Sequence, residues 1–330
     1  MTGTVSSDTQ AVLLLTARLS TRNEFASEPL THGEFNRLAV ALGSAGMRPS
    51  DLLETQGSDF VGNEDAHGLD TVRFRGLLER SMTLAVAMES WANAGFWVLS
   101  RADEGYPTRL RERLKGKAPV VLYGCGEPGL LEAGGLAIVG SRNVDEAGAE
   151  FTRDAAKAAA ADGLQVVSGG ARGVDSIAMD AALERGGAVV GVLANDLAKT
   201  SRSAMVREGV ADGRLCLVSP SQPEARFEAW RAMDRNKSIY ALSDWALVIS
   251  SDLRKGGTWA GAKEDLDNGW VPLLVRADEG VPKGNEALID MGGRPLGTDD
   301  LSELPSVLHE VELVAREGAS ATEAEQMGLF

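Results

Sequence analysis

The chain has few of the residues that build metal sites and disulfides. Of its 330 residues, two are cysteines, Cys125 and Cys216, and three are histidines. The histidines are scattered and no CxxC pair occurs, so no metal site is predicted. Each cysteine falls in an apolar, strand-like run, which indicates buried free thiols in a reducing cytoplasm rather than a disulfide.

Long hydrophobic runs and targeting signals are also missing. No apolar segment approaches about 18 residues, so a membrane span is not expected. The N-terminal segment MTGTVSSDTQ lacks a basic region followed by an apolar one, which argues against a signal peptide. These two absences predict a cytoplasmic protein without a membrane partner.

Positive charge is in deficit, with 33 Lys and Arg against 48 Asp and Glu and a net charge of −15. This balance argues against a generally adhesive nucleic-acid binder. The deficit is uneven, because residues 138–260 contain 15 basic and 16 acidic residues. Clustered arginines in this nearly neutral region are either paired on the surface or form a local groove for phosphates.

Apolar strand-like runs alternate with helix-length segments over the second half of the chain. Strands are predicted at 136–140, 165–168, 188–193, 214–218, 245–250 and 271–275, after two earlier ones at 96–99 and 118–126. Helices are predicted at 146–162, 174–185, 232–243 and 258–268. The alternation predicts an α/β fold with a mostly parallel sheet and helices on both faces.

The chain divides into three predicted regions. Residues 1–71 form a small helical N-terminal domain, with helices at 10–19 and 32–45 and a capping box at Thr31 and Glu34. Within it, the polar stretch 58–71 is predicted to be a linker or turn. Residues 72–315 form the α/β domain, with a first helix at 80–94, and the acidic, small-residue tail 316–330 is predicted to be disordered.

Two strand-end loops have the pattern of an anion site. The segments 138-IVGSRN-143 and 166-VVSGGARGVD-175 each lead from an apolar strand through small residues and an arginine toward a helix. Small residues let the backbone close around a ligand, a helix N-terminus offers free N–H groups, and arginine adds positive charge. Three glycines in the second loop suggest close approach of a ligand. The alternatives are a tight turn with Arg142 in solvent and a helix cap at Asp175.

Two more segments extend this pattern. The basic segment 235–237 is predicted to begin an apolar helix, where a bound anion would relieve its conflict with the helix dipole; a solvated charge run is the alternative. The segment 256–258 opens a helix after the apolar strand WALVIS, and Trp259 either stacks on a base or packs. The predicted phosphate- or DNA-binding residues are Gly140, Ser141, Arg142, Ser168, Gly169, Gly170, Arg172, Arg235, Asn236, Lys237, Gly256, Gly257 and Thr258.

No catalytic constellation is visible in the sequence. No histidine lies near these loops, and no Ser/His/Asp arrangement or carboxylate cluster with metal-ligand spacing occurs. The absence of an evident general base favours binding over catalysis, so no catalytic residue and no cofactor is predicted.

Together these segments resemble the DprA/Smf family of DNA-processing proteins over about residues 95–277. The resemblance includes the lead-in 103-DEGYPTRLRERLKGKAPVVLYGCG-126, IVGSR, VVSGGARGVDSIAMDAAL and the basic segment 235–243. It implies an extended Rossmann-like fold, binding and protection of single-stranded DNA, loading of RecA in DNA uptake, transformation or recombination, and a homodimer. It also implies that Arg142 and Arg172 contact phosphates, with hydroxyl or backbone donors from Ser141, Ser168, Gly169 and Gly170, and that residues 235–237 extend the site.

The sequence departs from the family pattern at three places. Ala232-Met233 replaces the usual Phe-Pro pair, Ser250-Ser251 replaces an acidic residue, and the SGSL-like turn reads GGTW. These departures indicate a divergent branch. The glycine-rich turn also resembles that of the lysine-decarboxylase-like, nucleotide-cleaving proteins, with Glu264 as the candidate helix glutamate. Binding or cleavage of a nucleotide is therefore the alternative function.

The last five residues resemble the pentapeptide Gln-Leu-x-Leu-Phe that binds the bacterial sliding clamp. Gln326 is expected to hydrogen-bond at the rim of the clamp pocket, and Leu329 and Phe330, after Met327, to fill an apolar cleft. A disordered tether is the usual presentation of such a motif. The pattern predicts a clamp-tethered protein, with a defence or repair adaptor as a further alternative.

Overall fold

The computed structural model describes residues 5–19, 28–55, 57–226 and 228–314. The predicted tail 316–330 and its clamp-binding motif lie outside these residues. The strands are β1 (Trp97–Ser100), β2 (Val121–Gly126), β3 (Leu136–Val139), β4 (Val166–Ser168), β5 (Val189–Val192), β6 (Leu215–Ser219), β7 (Trp245–Val248), β8 (Leu273–Arg276) and β9 (Arg294–Leu296).

The helices are α1 (Ser7–Thr16), α2 (His32–Ser44), α3 (Gly57–Gly62), α4 (Glu64–His67), α5 (Thr71–Leu78), α6 (Ser81–Asn93), α7 (Thr108–Leu114), α8 (Glu146–Ala161), α9 (Val174–Glu184), α10 (Leu197–Thr200), α11 (Ala204–Ala211), α12 (Ala229–Leu242), α13 (Gly256–Asn268) and α14 (Lys283–Asp290). Short 3-10 helices occur at Pro49–Leu53, Lys115–Lys117, Pro128–Leu131 and Thr298–Glu303. Within the described part of the chain, no helix is both long and apolar enough to cross a membrane.

The chain divides into two compact units. Unit 1 comprises Met1–Cys125, Asn195–Lys199 and Val218–Arg226, and unit 2 comprises the remaining segments from Gly126 onward. The division predicted from sequence after residue 71 falls inside unit 1. The three predicted regions therefore remain a proposal about which segments fold independently.

Unit 1 is mainly helical. The apolar residues of α1 are buried, and this helix packs against α5 and α6. The capping box of α2 is present as predicted, since the Thr31 hydroxyl accepts from Glu34 N and the Glu34 carboxylate accepts from Thr31 N. β1 and β2 form an antiparallel pair with Trp97 opposite Gly124. The helical N-terminal region predicted from sequence is confirmed.

The stretch predicted to be a linker is instead helical. Residues 58–71 contain most of α3, all of α4 and the start of α5. The buried His67 ring lies 5.5 Å from the Phe60 ring and 4.9 Å from the Phe74 ring, centre to centre. The polar composition of this stretch does not indicate that a few of its side chains pack inward. Such tertiary contacts override the local turn signal.

Unit 2 contains the parallel sheet. Its strands, with β6 included as far as Leu217, lie in the order β6-β5-β4-β3-β7-β8-β9. The pairings of β3 with β4 and β7, of β4 with β5, and of β8 with β7 and β9 are parallel. β3, β5 and β8 are buried along their whole length, as expected for apolar strands covered on both faces by helices. The predicted extended Rossmann-like fold is confirmed.

Candidate phosphate-binding site

A cavity of 470 Å³ lies in unit 2 where β3 and β7 end. Its walls come from the loops after these strands and after β4, and from the starts of α9 and α13 and the body of α12. The chain order of the strands reverses between β3 and β7, and ligands of open parallel sheets bind at such a reversal. The polar and charged lining residues are Ser141, Arg142, Asp175, Arg235, Asn236, Tyr240, Ser250, Asp252, Lys255 and Thr258.

The loop after β3 folds tightly against the start of α9. A Cβ on Gly140 would lie 2.6 Å from Val174 Cγ2, so only glycine fits there without a shift. The Ser141 carbonyl accepts from Val174 N at 3.2 Å, and the Ser141 hydroxyl accepts from Asn143 N at 3.1 Å. This fixed loop places Arg142, which is exposed, in the lining of the cavity.

The glycines of the second loop make room for the protein's own side chains. A Cβ on Gly169 would overlap the Arg235 guanidinium and the Asp175 carboxylate. One on Gly170, whose φ is +65°, would lie 2.5 Å from Leu193 Cδ2. The glycines therefore allow close approach of the protein's own side chains, and the approach of a ligand to this loop stays a prediction.

Five of the predicted site residues do not line the cavity: Ser168, Gly169, Gly170, Arg172 and Lys237. Ser168 is fully buried, and its hydroxyl donates to the Ile138 carbonyl at 2.6 Å, which joins β4 to β3. Its role as a phosphate donor stays a prediction, and the hydroxyl already donates a hydrogen bond inside the sheet. Arg172 is exposed and donates to Asn143 Oδ1 at 2.8 Å, which links the two strand-end loops.

Arg235 and Asp175 form a buried charged pair in the cavity wall. Arg235 is 5% exposed and donates through Nη1 to the Val192 carbonyl, and Asp175 is 7% exposed and accepts from Ala171 N at 3.4 Å. Burial raises the pKa of Asp175 to about 6, although Arg235 acts in the opposite direction. Burial lowers the pKa of Arg235 to about 10, so the guanidinium remains charged at neutral pH. At neutral pH the two charges largely cancel, and the pair gains net positive charge as Asp175 is protonated.

The basic segment 235–237 lies in the body of α12, not at its start. The helix begins at Ala229, so the predicted conflict with a helix N-terminus does not exist. Its three side chains have different partners: Arg235 donates to the Val192 carbonyl, Asn236 Nδ2 donates to the Gly257 carbonyl at 2.9 Å, and the buried Lys237 pairs with Asp234. Lys237 is thus a neutralised structural residue, whereas Arg235 and Asn236 line the cavity.

The start of α13 forms another wall of the cavity, as the sequence predicted. Gly256, with a φ of +78°, begins the helix after Lys255, whose side chain makes no capping hydrogen bond. Gly256, Gly257 and Thr258 all line the cavity together with Lys255. A helix N-terminus offers unpaired N–H groups and a positive dipole end, both of which favour an anion.

The sequence did not mark three charged residues of this cavity as site residues. Asp175 was interpreted at most as a helix cap, and Asp252 and Lys255 were not selected. Lys255 carried a usable signal, because it directly precedes the glycine turn. Asp175 carried no such signal, because it is buried against Arg235 and the two residues are distant in sequence. Glu264, the candidate glutamate of a nucleotide-cleaving site, does not line the cavity.

Comparison with known proteins agrees with this fold. The family model described as DNA recombination-mediator protein A matches residues 97–303. The chain belongs to this family. The resemblance to DprA/Smf proteins is thereby confirmed, and the match includes every strand and loop that forms the cavity.

Individual relatives are distant. The putative DNA processing protein DprA of Mycobacterium tuberculosis is 32% identical over 177 residues, which are 52% of this chain and 43% of that protein. The chain thus spans less than half the length of this relative. The structure of DNA processing protein A from Streptococcus pneumoniae matches with a TM-score of 0.67 and 23% identity, covering 83% of this chain and 93% of that one. This match supports the fold.

A second solved structure is that of DNA processing protein A from Helicobacter pylori, described for its unique single-stranded DNA binding mode. It matches with a TM-score of 0.54 and 24% identity, and covers 65% of this chain and 96% of that one. As a member of the same family, the present chain shares its α/β fold.

Proposed function

We propose that this protein is a single-stranded DNA-binding recombination mediator. The observation that supports the proposal most is the cavity at the strand-order reversal, where Arg142, Arg235, Lys255 and the start of α13 converge. Convergent cations and free backbone N–H groups suit a phosphate. The family membership and the single-stranded DNA binding of the Helicobacter pylori relative support a DNA strand as the source of that phosphate.

The acidity of the chain makes this binding depend on few residues. With a net charge of −15, the protein repels DNA over most of its surface. The basic side chains at the cavity, together with Arg172 beside it, must supply the attraction. Phosphate contacts of this kind carry no base information, so binding is sequence-independent and weakens with salt.

The test compares wild type with Arg142→Ala, Arg172→Ala and the double variant. Binding of a labelled thymidine 20-mer and of a duplex of equal length is followed by fluorescence anisotropy. Arg153→Ala is the matched control, because Arg153 is an exposed arginine of α8 paired with Glu146. We expect preference for the single strand, about a tenfold loss for Arg142→Ala, a smaller loss for Arg172→Ala and no change for the control.

The salt dependence gives a second readout. If two to four phosphates are neutralised, the logarithm of affinity should fall with the logarithm of salt with a slope of about −1.4 to −2.8. Removal of Arg142 should reduce the magnitude of the slope by about 0.7. Wild-type protein that does not bind at low salt, or equal binding by the wild type and the double variant, would refute the proposal.

Partner functions are part of the same proposal. Bound single-stranded DNA would be protected from nucleases and passed to a RecA-type recombinase during DNA uptake, transformation or recombination, by a homodimer acting in the cytoplasm. Recombinase filament formation on DNA, measured with and without the protein, tests the loading step. Deletion of residues 326–330 tests the clamp tether: it should abolish capture of the sliding clamp and leave DNA binding unchanged.

Binding or cleavage of a free nucleotide is the second candidate function. The observation in its favour is Asp175, a carboxyl group in the cavity wall whose pKa is raised to about 6 by burial, as suits a general acid or base. Release of base from nucleoside monophosphates, lost in Asp175→Asn, would support cleavage. Tight binding of nucleotides without turnover would support a sensor, and failure of both would remove this candidate.

A further inference from the structure

Two large apolar side chains are exposed on α12 beside the cavity. Trp230 is 62% exposed and Met233 is 55% exposed. They are three residues apart, so they lie on the same side of the helix. Met233 itself lines the cavity, and Leu253, 41% exposed, lies in the chain between the lining residues Asp252 and Lys255. Met233 thus brings exposed apolar surface to the lining of a charged cavity, and Trp230 and Leu253 are near neighbours of lining residues along the chain.

The Trp230 ring is held by its neighbours. The Arg231 guanidinium carbon lies 5.3 Å from the centre of the indole, and Arg231 Nε lies 2.8 Å from Glu228 Oε2. A guanidinium over an aromatic ring is an attractive contact, and the ion pair fixes it further. Although this contact covers part of the ring, the residue keeps most of its exposure. A ring that is already oriented loses little conformational freedom when a ligand stacks on it.

We propose that Trp230 and Met233 form a stacking surface for a base of the DNA strand whose phosphate occupies the cavity. The proposal rests on the proposed function and specifies a second contact for the same strand. A flat, exposed indole beside a phosphate site suits a nucleotide, because every base offers a π-face next to its backbone charge. An apolar protein partner would cover the indole but would bring no phosphate to the cavity.

The other tryptophan considered for stacking fits less well. Trp259 lies in the first turn of α13, is only partly exposed and does not line the cavity. Trp230 was not selected from the sequence, because nothing in the order of residues marks which side of α12 is left uncovered. The assignment of stacking to Trp230 therefore depends on the tertiary structure.

The experiment separates base contacts from phosphate contacts. Affinities for a thymidine 20-mer and for an abasic oligomer with the same number of phosphates are measured for wild type, Trp230→Ala, Trp230→Phe and Met233→Ala. Met291→Ala is the control, since Met291 is also exposed, at 41%, but does not line the cavity. Circular dichroism checks that each variant is folded, and sedimentation measures self-association.

We expect Trp230→Ala to weaken binding of the thymidine oligomer about tenfold and to leave abasic binding unchanged. Trp230→Phe should retain most of the affinity, and Met233→Ala should show a smaller loss of the same kind. Equal loss for both oligomers, or no loss for either, would overturn the proposal. So would loss of self-association in Trp230→Ala without a base-dependent effect, since the surface would then contact a second copy.

Failure of the two proposals can be told apart. If folded wild-type protein binds neither oligomer, the proposed DNA-binding function fails and the stacking proposal fails with it. If wild type binds both oligomers with equal affinity and Trp230→Ala does the same, DNA binding stands and only the stacking proposal is refuted.

Discussion

The guanidinium of Arg235 and the carboxylate of Asp175 converge at the position that a side chain on Gly169 would occupy. Arg235 comes from the body of α12, Asp175 from the first turn of α9, and Gly169 from the loop after β4. The electrostatic attraction between the two groups links α12 to α9 next to this loop, at the wall of the cavity. Because both charges are buried, removal of one leaves the other without its partner.

Replacement of Arg235 should therefore lower the stability of the folded protein, and should lower it less when Asp175 is also replaced by a neutral residue. Arg235→Met is expected to lower the free energy of unfolding by about 3–5 kcal/mol. In the double variant with Asp175→Asn, the loss should be smaller than the sum of the single losses, by about 1–3 kcal/mol. Urea denaturation measures all four proteins. Arg153→Met, at an exposed site, is the control, and strictly additive losses would show that the two groups do not interact.

DNA binding should strengthen as Asp175 becomes protonated. Burial raises the pKa of this carboxyl from 3.8 to about 6, and loss of its negative charge favours a phosphate in the cavity. Affinity for a thymidine oligomer should therefore rise between about pH 7.5 and about pH 5.5 in wild type. Asp175→Asn should bind more tightly at neutral pH and lose most of this dependence. An unchanged pH profile in the variant would contradict the assignment.

The same shift predicts the sign of a stability change. A carboxyl group whose pKa is higher in the folded protein favours folding while it is protonated. This contribution is complete below pH 3.8 and is lost as the pH rises through about 6. As the pH rises across this range, the free energy of unfolding of wild type should therefore fall relative to that of Asp175→Asn. Urea denaturation at several pH values measures it.

Gly169→Ala should destabilise unit 2 through crowding. A methyl group there would overlap Arg235 and Asp175, which cannot both move without losing buried contacts. The expected loss is about 1–3 kcal/mol, with a parallel loss of DNA affinity because Arg235 lines the cavity. Gly297→Ala is the control, since its φ is −97° and the nearest atom would be 3.6 Å away. Equal stability of the two variants would refute the close approach.

Asn285 should hold the loop that follows β7. It is fully buried, donates through Nδ2 to the Ile249 and Arg276 carbonyls, each at 3.0 Å, and accepts from Ser251 N at 2.8 Å. Asn285→Ala leaves these groups unpaired and should cost about 3 kcal/mol. Because the loop continues into the cavity wall, DNA affinity should also fall. Asn268→Ala removes one exposed hydrogen bond and should change neither stability nor affinity measurably.

The sequence predicted the elements of unit 2 well, because each carries its own local signal. Apolar runs marked the strands, and helix-length segments between them marked the crossovers. Predictions failed where tertiary contacts outweighed a local sequence pattern. The polar stretch 58–71 is helical because His67 packs between two phenylalanines, and α12 begins at Ala229, ahead of the predicted start.

The candidate site was predicted in part for the same reason. Arg142 and the turn 256–258 were selected from the sequence because glycine and arginine at strand ends are a local pattern, and both line the cavity. Ser168 was selected through the family resemblance and Lys237 as part of the basic segment 235–237, but the first is bonded inside the sheet and the second is paired on its own helix. A sequence pattern gives residue type and spacing, and it does not give the partner that each side chain finds.

The sequence by itself determined the alternation of strands and helices, the family and the glycine- and arginine-containing loops at the strand ends, since these depend on short-range order. Only the tertiary structure decided the strand order that brings the ends of β3 and β7 together, the burial of Asp175 against Arg235 and the exposure of Trp230. These features depend on which apolar surfaces pack against one another across distant parts of the chain. Such packing is a property of the whole fold, and no local pattern encodes it.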